Sequence, residues 1–134
     1  MPVFQTSDQL LKTLEMLFER VEEAYPETMR KVSSARVVFR FHCREPKAEI
    51  TMDARKYPVQ FEYGESVLRP DIDIELSGDI LHAILLGEVG LSKALGMGEL
   101  KVKGPVWKAF VLQDVFQHGQ ALYPAILEEL GITT

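Results

Sequence analysis

Apolar residues near the start of the chain recur at the three- and four-residue spacing of one helical face. The residues on this face are Leu10, Leu14, Leu17, Phe18 and Val21. The pattern predicts a helix from about Ser7 to Ala24, with Ser7 or Asp8 capping its free N–H groups. Tyr25-Pro26 is expected to end it, because the residue before a proline avoids the α region.

From Ala35 the period changes from that of a helix to that of a strand. Apolar and charged residues alternate in four segments, which cover residues 36–44, 48–55, 59–63 and 71–76. Each segment carries one apolar and one charged face, a pattern typical of antiparallel strands with one face in solvent. The arginines of the first segment are expected to lie opposite Glu49 and Asp53, and the charged face is interpreted as solvated surface.

Helical patterning returns after Ser77. The segment Ile80–Leu86 is apolar nearly all round, which predicts a short buried helix, and Gly87 and Gly90 follow it. Another turn or two of helix is predicted at Leu91–Leu95, ending at Gly96. Glu99–Lys103 alternates again and predicts a fifth short strand with Leu100 and Val102 facing inward.

Two more helices are predicted in the C-terminal part. One runs from Pro105, a residue suited to the first helical position, to about Leu122. The other begins at Pro124 and ends at Gly131, a natural C-terminal stop. The order of elements indicates an α+β fold in which about five helices cover one face of a five-stranded sheet, with a single domain spanning residues 1–134.

The predicted Pro105–Leu122 helix has more apolar surface than one sheet contact requires. Its apolar members spread over well more than half of the helical circumference, and Ile80–Leu86 shows the same excess. This surplus suits three uses, namely helix-on-helix packing within the domain, a dimer interface, or the lining of an apolar cavity. The pattern alone leaves the three uses open.

Composition narrows the class of protein. The chain has 134 residues with 46% hydrophobic side chains, which is enough for one core without disulfides or a structural metal. The net charge of −5 argues against broad nucleic-acid binding, and the single cysteine excludes an intramolecular disulfide. The longest apolar runs fall well short of a membrane span. The first residues lack the features of a signal peptide, so we expect a cytoplasmic location.

Motifs for catalysis, metals or cofactors are missing from the sequence. It contains no dinucleotide or phosphate loop, no nucleophile elbow and no zinc-binding histidine pair. Cys43 falls on the apolar side of a strand, where a thiol is usually inert. Asp71, Asp73 and Glu75 alternate along a strand without the glycine-turned loop that surrounds calcium. We therefore predict no enzyme activity, no catalytic residues, no metal and no cofactor.

Three consecutive stretches resemble the sterol carrier protein type 2 family. They are PDIDIELS at 70–77, ILHAILLG at 80–87 and LSKALGMGELKVKG at 91–104, and the resemblance extends over about Pro70–Phe116. It implies a mixed, mainly antiparallel five-stranded sheet packed by helices around an apolar tunnel. It also implies non-enzymatic binding and transfer or presentation of lipids, such as fatty acyl chains, phospholipids, sterol-like molecules or isoprenoid-quinone precursors.

On this resemblance the apolar surplus becomes the lining of a cavity. The candidate lipid-binding residues, taken from the inward strand positions and the helix faces, are Phe39, Phe41, Met52, Phe61, Ile74, Leu81, Leu85, Leu95, Met97, Leu100, Phe110, Phe116 and Leu127. The chain departs from the family pattern at Pro105, where an acidic residue is commoner, and it lacks a peroxisomal Ser-Lys-Leu ending. Its Ala125–Thr134 segment is an addition that is expected to cap or occlude the tunnel.

Partners besides a lipid are suggested by charge and by apolar surface. The residues from 93 to 108 include four lysines, Lys93, Lys101, Lys103 and Lys108, and one glutamate. Such a basic patch suits transient contact with an anionic membrane surface, at up to about 1 kcal/mol per cation. The alternative function is a protein-interaction or dimerisation module, with a homodimer as one form, which uses the same fold without a lipid.

Overall fold

The N-terminal helix has the predicted bounds in the computed structural model, which describes residues 2–133. Helix α1 is Ser7–Ala24, and its apolar face is buried. The cap is Thr6 rather than Ser7 or Asp8, because the Thr6 hydroxyl oxygen accepts a hydrogen bond from the Gln9 N–H at 3.0 Å. Ser7 donates instead to the Lys47 carbonyl, which ties the start of the helix to the sheet.

A second helix, which the pattern did not indicate, follows at once. Tyr25 ends α1 as predicted, and Pro26 then occupies the first turn of α2, Pro26–Ser33. Proline lacks an N–H but needs none at this position, so the residue that stops one helix can begin the next.

Five strands form one mixed sheet, as expected. The strands are β1 Val38–Arg44, β2 Ala48–Asp53, β3 Gln60–Tyr63, β4 Ile72–Ser77 and β5 Lys101–Lys103. Their order across the sheet is β3-β2-β1-β4-β5. The central pair β1 and β4 is parallel, and the other pairs are antiparallel.

The register aligns the apolar face of every strand. Phe41 lies opposite Ile50 on β2 and opposite Ile74 on β4, and all three side chains are buried. His42, one residue later, lies opposite Glu49 and Glu75 on the other face. Glu49 therefore has a histidine opposite it rather than an arginine, while Asp53 lies opposite Val38.

The C-terminal half contains four helical segments: α3 Gly78–Leu85, α4 Leu91–Gly96, α5 Val106–Ala109 and α6 Leu112–Glu129. The prediction of one helix over Pro105–Leu122 was wrong, because the helix is interrupted at Phe110 and Val111. Both residues keep helical dihedral angles, but the Val111 N–H bonds to the Lys108 carbonyl, three residues earlier, and not to the fourth preceding residue as in an α-helix. A side-chain pattern does not register such a change of backbone bonding.

The predicted break at Pro124 was also wrong, since α6 continues through it. Burial of Tyr123 just before the proline and of Ile126 and Leu127 beyond it holds the last part of the helix in the fold and offsets one missing hydrogen bond. The expectation that the Ala125–Thr134 segment caps or occludes a tunnel stays a prediction, and this end of α6 is tied to α1 by the ion pair of Glu129 with Arg20. Thr134 itself lies outside the described residues.

Helices α1 and α6 approach each other closely and are joined at one end by an ion pair. A side chain at Gly119 would lie only 3.3 Å from the Leu17 Cδ1 atom, so glycine allows the short approach. The Arg20 guanidinium donates two hydrogen bonds of 2.7 Å to the Glu129 carboxylate. This geometry fixes α6 along α1 and leaves the N-terminal half of α6 above β4 and β5.

One buried polar pair joins α3 to α6. The His82 Nδ1 atom of α3 lies 2.6 Å from the Tyr123 hydroxyl of α6, and both residues are buried. Phe4 contacts the imidazole edge to face. Burial lowers the pKa of His82, and the nearby Glu88 and Asp79 carboxylates oppose this effect.

This pair predicts a pH-dependent contribution to stability. Because the pKa of His82 is lower in the folded protein than in the unfolded chain, the free energy of unfolding should fall as the pH drops below about 6.5. His82→Gln keeps a hydrogen-bond partner for the tyrosine hydroxyl but does not titrate. The free energy of unfolding of this variant should therefore change less with pH in this range. Urea unfolding at a series of pH values measures both curves, and equal slopes would contradict the assignment.

Candidate functional site

An apolar cleft lies between the β4–β5 side of the sheet and the helices that follow β4. Its floor comes from inner-face residues of β1, β4 and β5 and from Leu100. The floor residues are Phe41, Ile74, Leu76, Leu100 and Val102. Ile84 of α3 and Leu91 and Leu95 of α4 form one wall.

The other wall is the interrupted helix. Its lining residues are Val106 and Ala109 of α5, Phe110 at the interruption, and Leu112 and Phe116 of α6. Phe116 meets Phe41 of the floor edge to face, with 6.2 Å between ring centroids. The segments on both sides of the interruption therefore contribute apolar side chains to the same space.

Two local features bring these elements together. Residues Glu99 and Leu100 both donate backbone hydrogen bonds to the Ala94 carbonyl, which folds β5 back against α4. Gly104 then makes the turn into α5 with a φ of 111°. A side chain there would lie 2.5 Å from the Asp71 carbonyl oxygen, so only glycine allows the turn to pass this close to β4.

The lining of the cleft offers a ligand apolar contact only. All thirteen side chains that line it are hydrocarbon, and none of them can titrate, donate or accept a hydrogen bond. The free space has a volume of about 30 Å³, which matches one or two water molecules. The cleft is therefore narrow, and an apolar guest larger than this has to displace a wall.

Six of the thirteen predicted lipid-binding residues line this cleft: Phe41, Ile74, Leu95, Leu100, Phe110 and Phe116. Five more are buried in the core elsewhere: Phe39, Met52, Leu81, Leu85 and Leu127. Phe61 is half-buried and stacks on Phe18 of α1 at 4.8 Å, and the Met97 side chain is 60% exposed. The structure thus brings Phe41 together with five of the nine predicted residues from the second half of the chain, whereas Leu81, Leu85, Met97 and Leu127 lie elsewhere.

The pattern missed seven lining residues: Leu76, Ile84, Leu91, Val102, Val106, Ala109 and Leu112. Leu76 and Val102 have the same inward parity as Ile74 and Leu100, so the sequence signal was present for them. Parity identifies every inward residue of the sheet, however, and does not tell which ones face the cleft and which face α1.

The four lysines of residues 93–108 do not form one patch. Lys101 and Lys103 lie opposite Glu75 and Asp73 on the outer face of the sheet, whereas the cleft is on the inner face. Lys93 is on α4, and the Lys108 ammonium lies 3.5 Å from the Ala35 carbonyl oxygen. A membrane contact that uses all four cations at once does not fit this arrangement.

The outer face of the sheet has a charged cluster. His42 Nε2 is 2.6 Å from Asp73 Oδ1, and Arg40 Nε is 3.7 Å from Glu49 Oε1 and 3.1 Å from Thr51 Oγ1. These contacts satisfy charged groups of neighbouring strands. No group of acidic, histidine or cysteine residues arranged to hold a metal ion was found within residues 2–133.

Cys43 is on the buried face of β1. Burial raises the pKa of its thiol to about 12, so it stays protonated near neutral pH and is a poor nucleophile. Among the described helices, none has the length and apolar character that a bilayer crossing demands.

Comparison with known proteins shows a family and several solved structures that this chain resembles. The model of the SCP-2 sterol transfer family matches residues 17–117. The solution structure of sterol carrier protein domain 2 of Helicoverpa armigera is 21% identical, with a TM-score of 0.66 over 82% of this chain and 87% of that chain. Apo sterol carrier protein 2 from Yarrowia lipolytica is 18% identical, with a TM-score of 0.62 over 85% of this chain and 91% of that one.

A third similar structure is that of palmitated SCP2L2 from Aedes aegypti. It is 21% identical to this chain, with a TM-score of 0.61 over 79% of this chain and 92% of that one. No curated protein sequence matches the chain. At these identities the structural likeness establishes the fold of the chain.

Shortening the Phe116 side chain tests how much the cleft wall contributes to stability. Phe116→Ala removes a buried ring that packs on Phe41, and it should lower the free energy of unfolding by about 3–5 kcal/mol. The matched control is Trp107→Ala, since the Trp107 side chain is 74% exposed and its loss should change stability by less than about 0.5 kcal/mol. Similar losses in both variants, measured by denaturant unfolding, would contradict this description of the wall.

Proposed function

We propose, because this chain belongs to the SCP-2 sterol transfer family, that it binds the apolar part of a lipid in the cleft and carries or presents that lipid without covalent chemistry. The observation that carries this proposal is the wholly hydrocarbon lining of the cleft. Such a lining favours an apolar guest through burial of surface and offers no group that would react with it.

The energetics of such a site favour a broad range of ligands. Burial of hydrocarbon is worth about 0.8 kcal/mol per CH₂ group, whatever the rest of the ligand is. A fatty acyl chain, a phospholipid tail, a sterol-like ring system or an isoprenoid chain would gain in proportion to the surface it buries. Chain length should therefore affect affinity more than the detailed shape of the chain.

The cleft has to widen when a lipid enters, and α5 is the wall best suited to move. This helix has only four residues, and none of them is buried. Its C-terminal connection includes a long backbone hydrogen bond of 3.4 Å from the Val111 N–H to the Lys108 carbonyl. Displacement of α5 from β5 therefore breaks few contacts and opens the space between Ala109, Phe110 and the sheet.

Exposed apolar side chains at the same corner support a second candidate function, which is association with another copy of the chain. Trp107 is 74% exposed, Met97 60% and Phe110 39%. Large contiguous apolar patches on a surface commonly mark a site of association, whereas single exposed apolar side chains are normal on a monomer. In this alternative the corner would be an interface, and no lipid would be needed.

Two aspartate substitutions separate these functions. Phe110 lines the cleft and Trp107, three residues earlier, does not, although both side chains are exposed enough for the fold to tolerate a polar replacement. Phe110→Asp should weaken uptake of a fluorescent fatty acid at least about tenfold, since a charge would enter an apolar lining. Trp107→Asp should bind the probe like the unsubstituted protein.

Solvent extraction followed by mass spectrometry measures whether lipid copurifies, and sedimentation velocity measures the oligomeric state of all three proteins. No probe uptake and no extracted lipid from the unsubstituted protein would overturn lipid binding. A dimer that either aspartate dissociates, in the absence of lipid, would favour the interaction module instead.

A further inference from the structure

A second, open cleft of about 200 Å³ adjoins the apolar one. The two share a wall, because Ile84, Leu91 and Phe116 line both of them. On the far side of this wall the second cleft is lined by three glutamines of α6, and we call it the amide cleft. A molecule with its chain in the apolar cleft can therefore reach the amide cleft by passing over a single layer of side chains.

The three glutamines are arranged along one face of α6. Gln113, Gln117 and Gln120 are four and three residues apart, which places them on adjacent turns of the same face. Gln120 is anchored, since its Nε2 atom donates a hydrogen bond of 3.1 Å to the Ile84 carbonyl. A side chain at Gly87 would lie 3.3 Å from Gln120 Oε1, so glycine leaves space for this amide.

The amide cleft offers hydrogen bonds but no charge. Each glutamine amide can both donate and accept hydrogen bonds, and Gln113 and Gln117 are exposed to the cleft and to solvent. Its other lining residues are apolar or glycine, so no cation and no carboxylate lines it. Asp114, next along the helix to Gln113, is paired with Lys31 at 3.0 Å.

We infer that the amide cleft holds the uncharged polar headgroup of a lipid whose chain occupies the apolar cleft. The ligand class is a lipid with hydroxyl, ester or amide groups at its head, such as a monoacylglycerol or a long-chain alcohol. A carboxylate or phosphate head is disfavoured, because hydrogen bonds from a cation to an anion are stronger than those from neutral amides and no cation lines this cleft. This inference rests on the proposed function.

Matched ligands test the headgroup preference. Monopalmitoylglycerol and palmitate have the same acyl chain, and each can be titrated, as a monomer, against a fluorescent fatty acid bound to the protein. The unsubstituted protein should bind the monoacylglycerol at least about fivefold more tightly, because its hydroxyls can both donate to and accept from the amides, whereas a carboxylate only accepts and costs more to desolvate.

A charge substitution tests the location of the head. Gln117→Lys adds a cation to the amide cleft and should abolish the preference, because palmitate is then expected to bind at least about fivefold more tightly than before. Gln5→Lys is the matched control, since it adds the same charge at an exposed residue that lines neither cleft. Thermal melting of both variants checks that the fold is kept.

The outcomes separate this inference from the function it rests on. Equal affinity for the two ligands, or the same effect of Gln117→Lys and Gln5→Lys on palmitate binding, would overturn the headgroup site and leave chain binding intact. Failure of the unsubstituted protein to take up either ligand or the probe would overturn both.

Discussion

The helices have to cover one apolar face of a five-stranded sheet, and they do so unevenly. The long helices α1 and α6 pack on each other closely, with Gly119 against Leu17 and Arg20 paired with Glu129. At the other side of the sheet, β5 and the end of β4 are covered by short helices, of which α5 has only four residues. The helices cover the apolar face of the sheet, but only the short helix α5 covers β5. The cleft lies between α5 and the sheet.

The polar groups of the protein are placed so that none of them enters this cleft. His42, Asp73 and Arg40 are on the outer face of the sheet, and the buried pair His82 and Tyr123 is on the side of α6 that faces α3. In the part of the chain that is described, no buried side-chain nitrogen or oxygen lacks a hydrogen-bond partner. A space lined only by hydrocarbon results.

In the proposed function, the two clefts bind different parts of a lipid, as their chemistry favours. Contact with hydrocarbon contributes free energy in proportion to buried surface and discriminates weakly between chains. Hydrogen bonds at the head contribute less but discriminate more, because an unpaired polar group is costly. The two clefts are separated by the wall that they share, which consists of Ile84, Leu91 and Phe116.

Local sequence was sufficient for the period and the face of most elements. The alternation around Phe41 and Ile74, the bounds of α1 and the family resemblance over 70–116 identified the fold class, because burial of one face leaves a periodic trace in the chain. The tertiary structure alone decided that β1 and β4 run parallel, that the helix is interrupted at Phe110, and that it continues through Pro124. It also decided which inward residues meet at the cleft, since Met52 and Ile74 have the same pattern but face different helices. A periodic pattern records that a side chain is buried, whereas the partner that buries it is set by packing between distant parts of the chain.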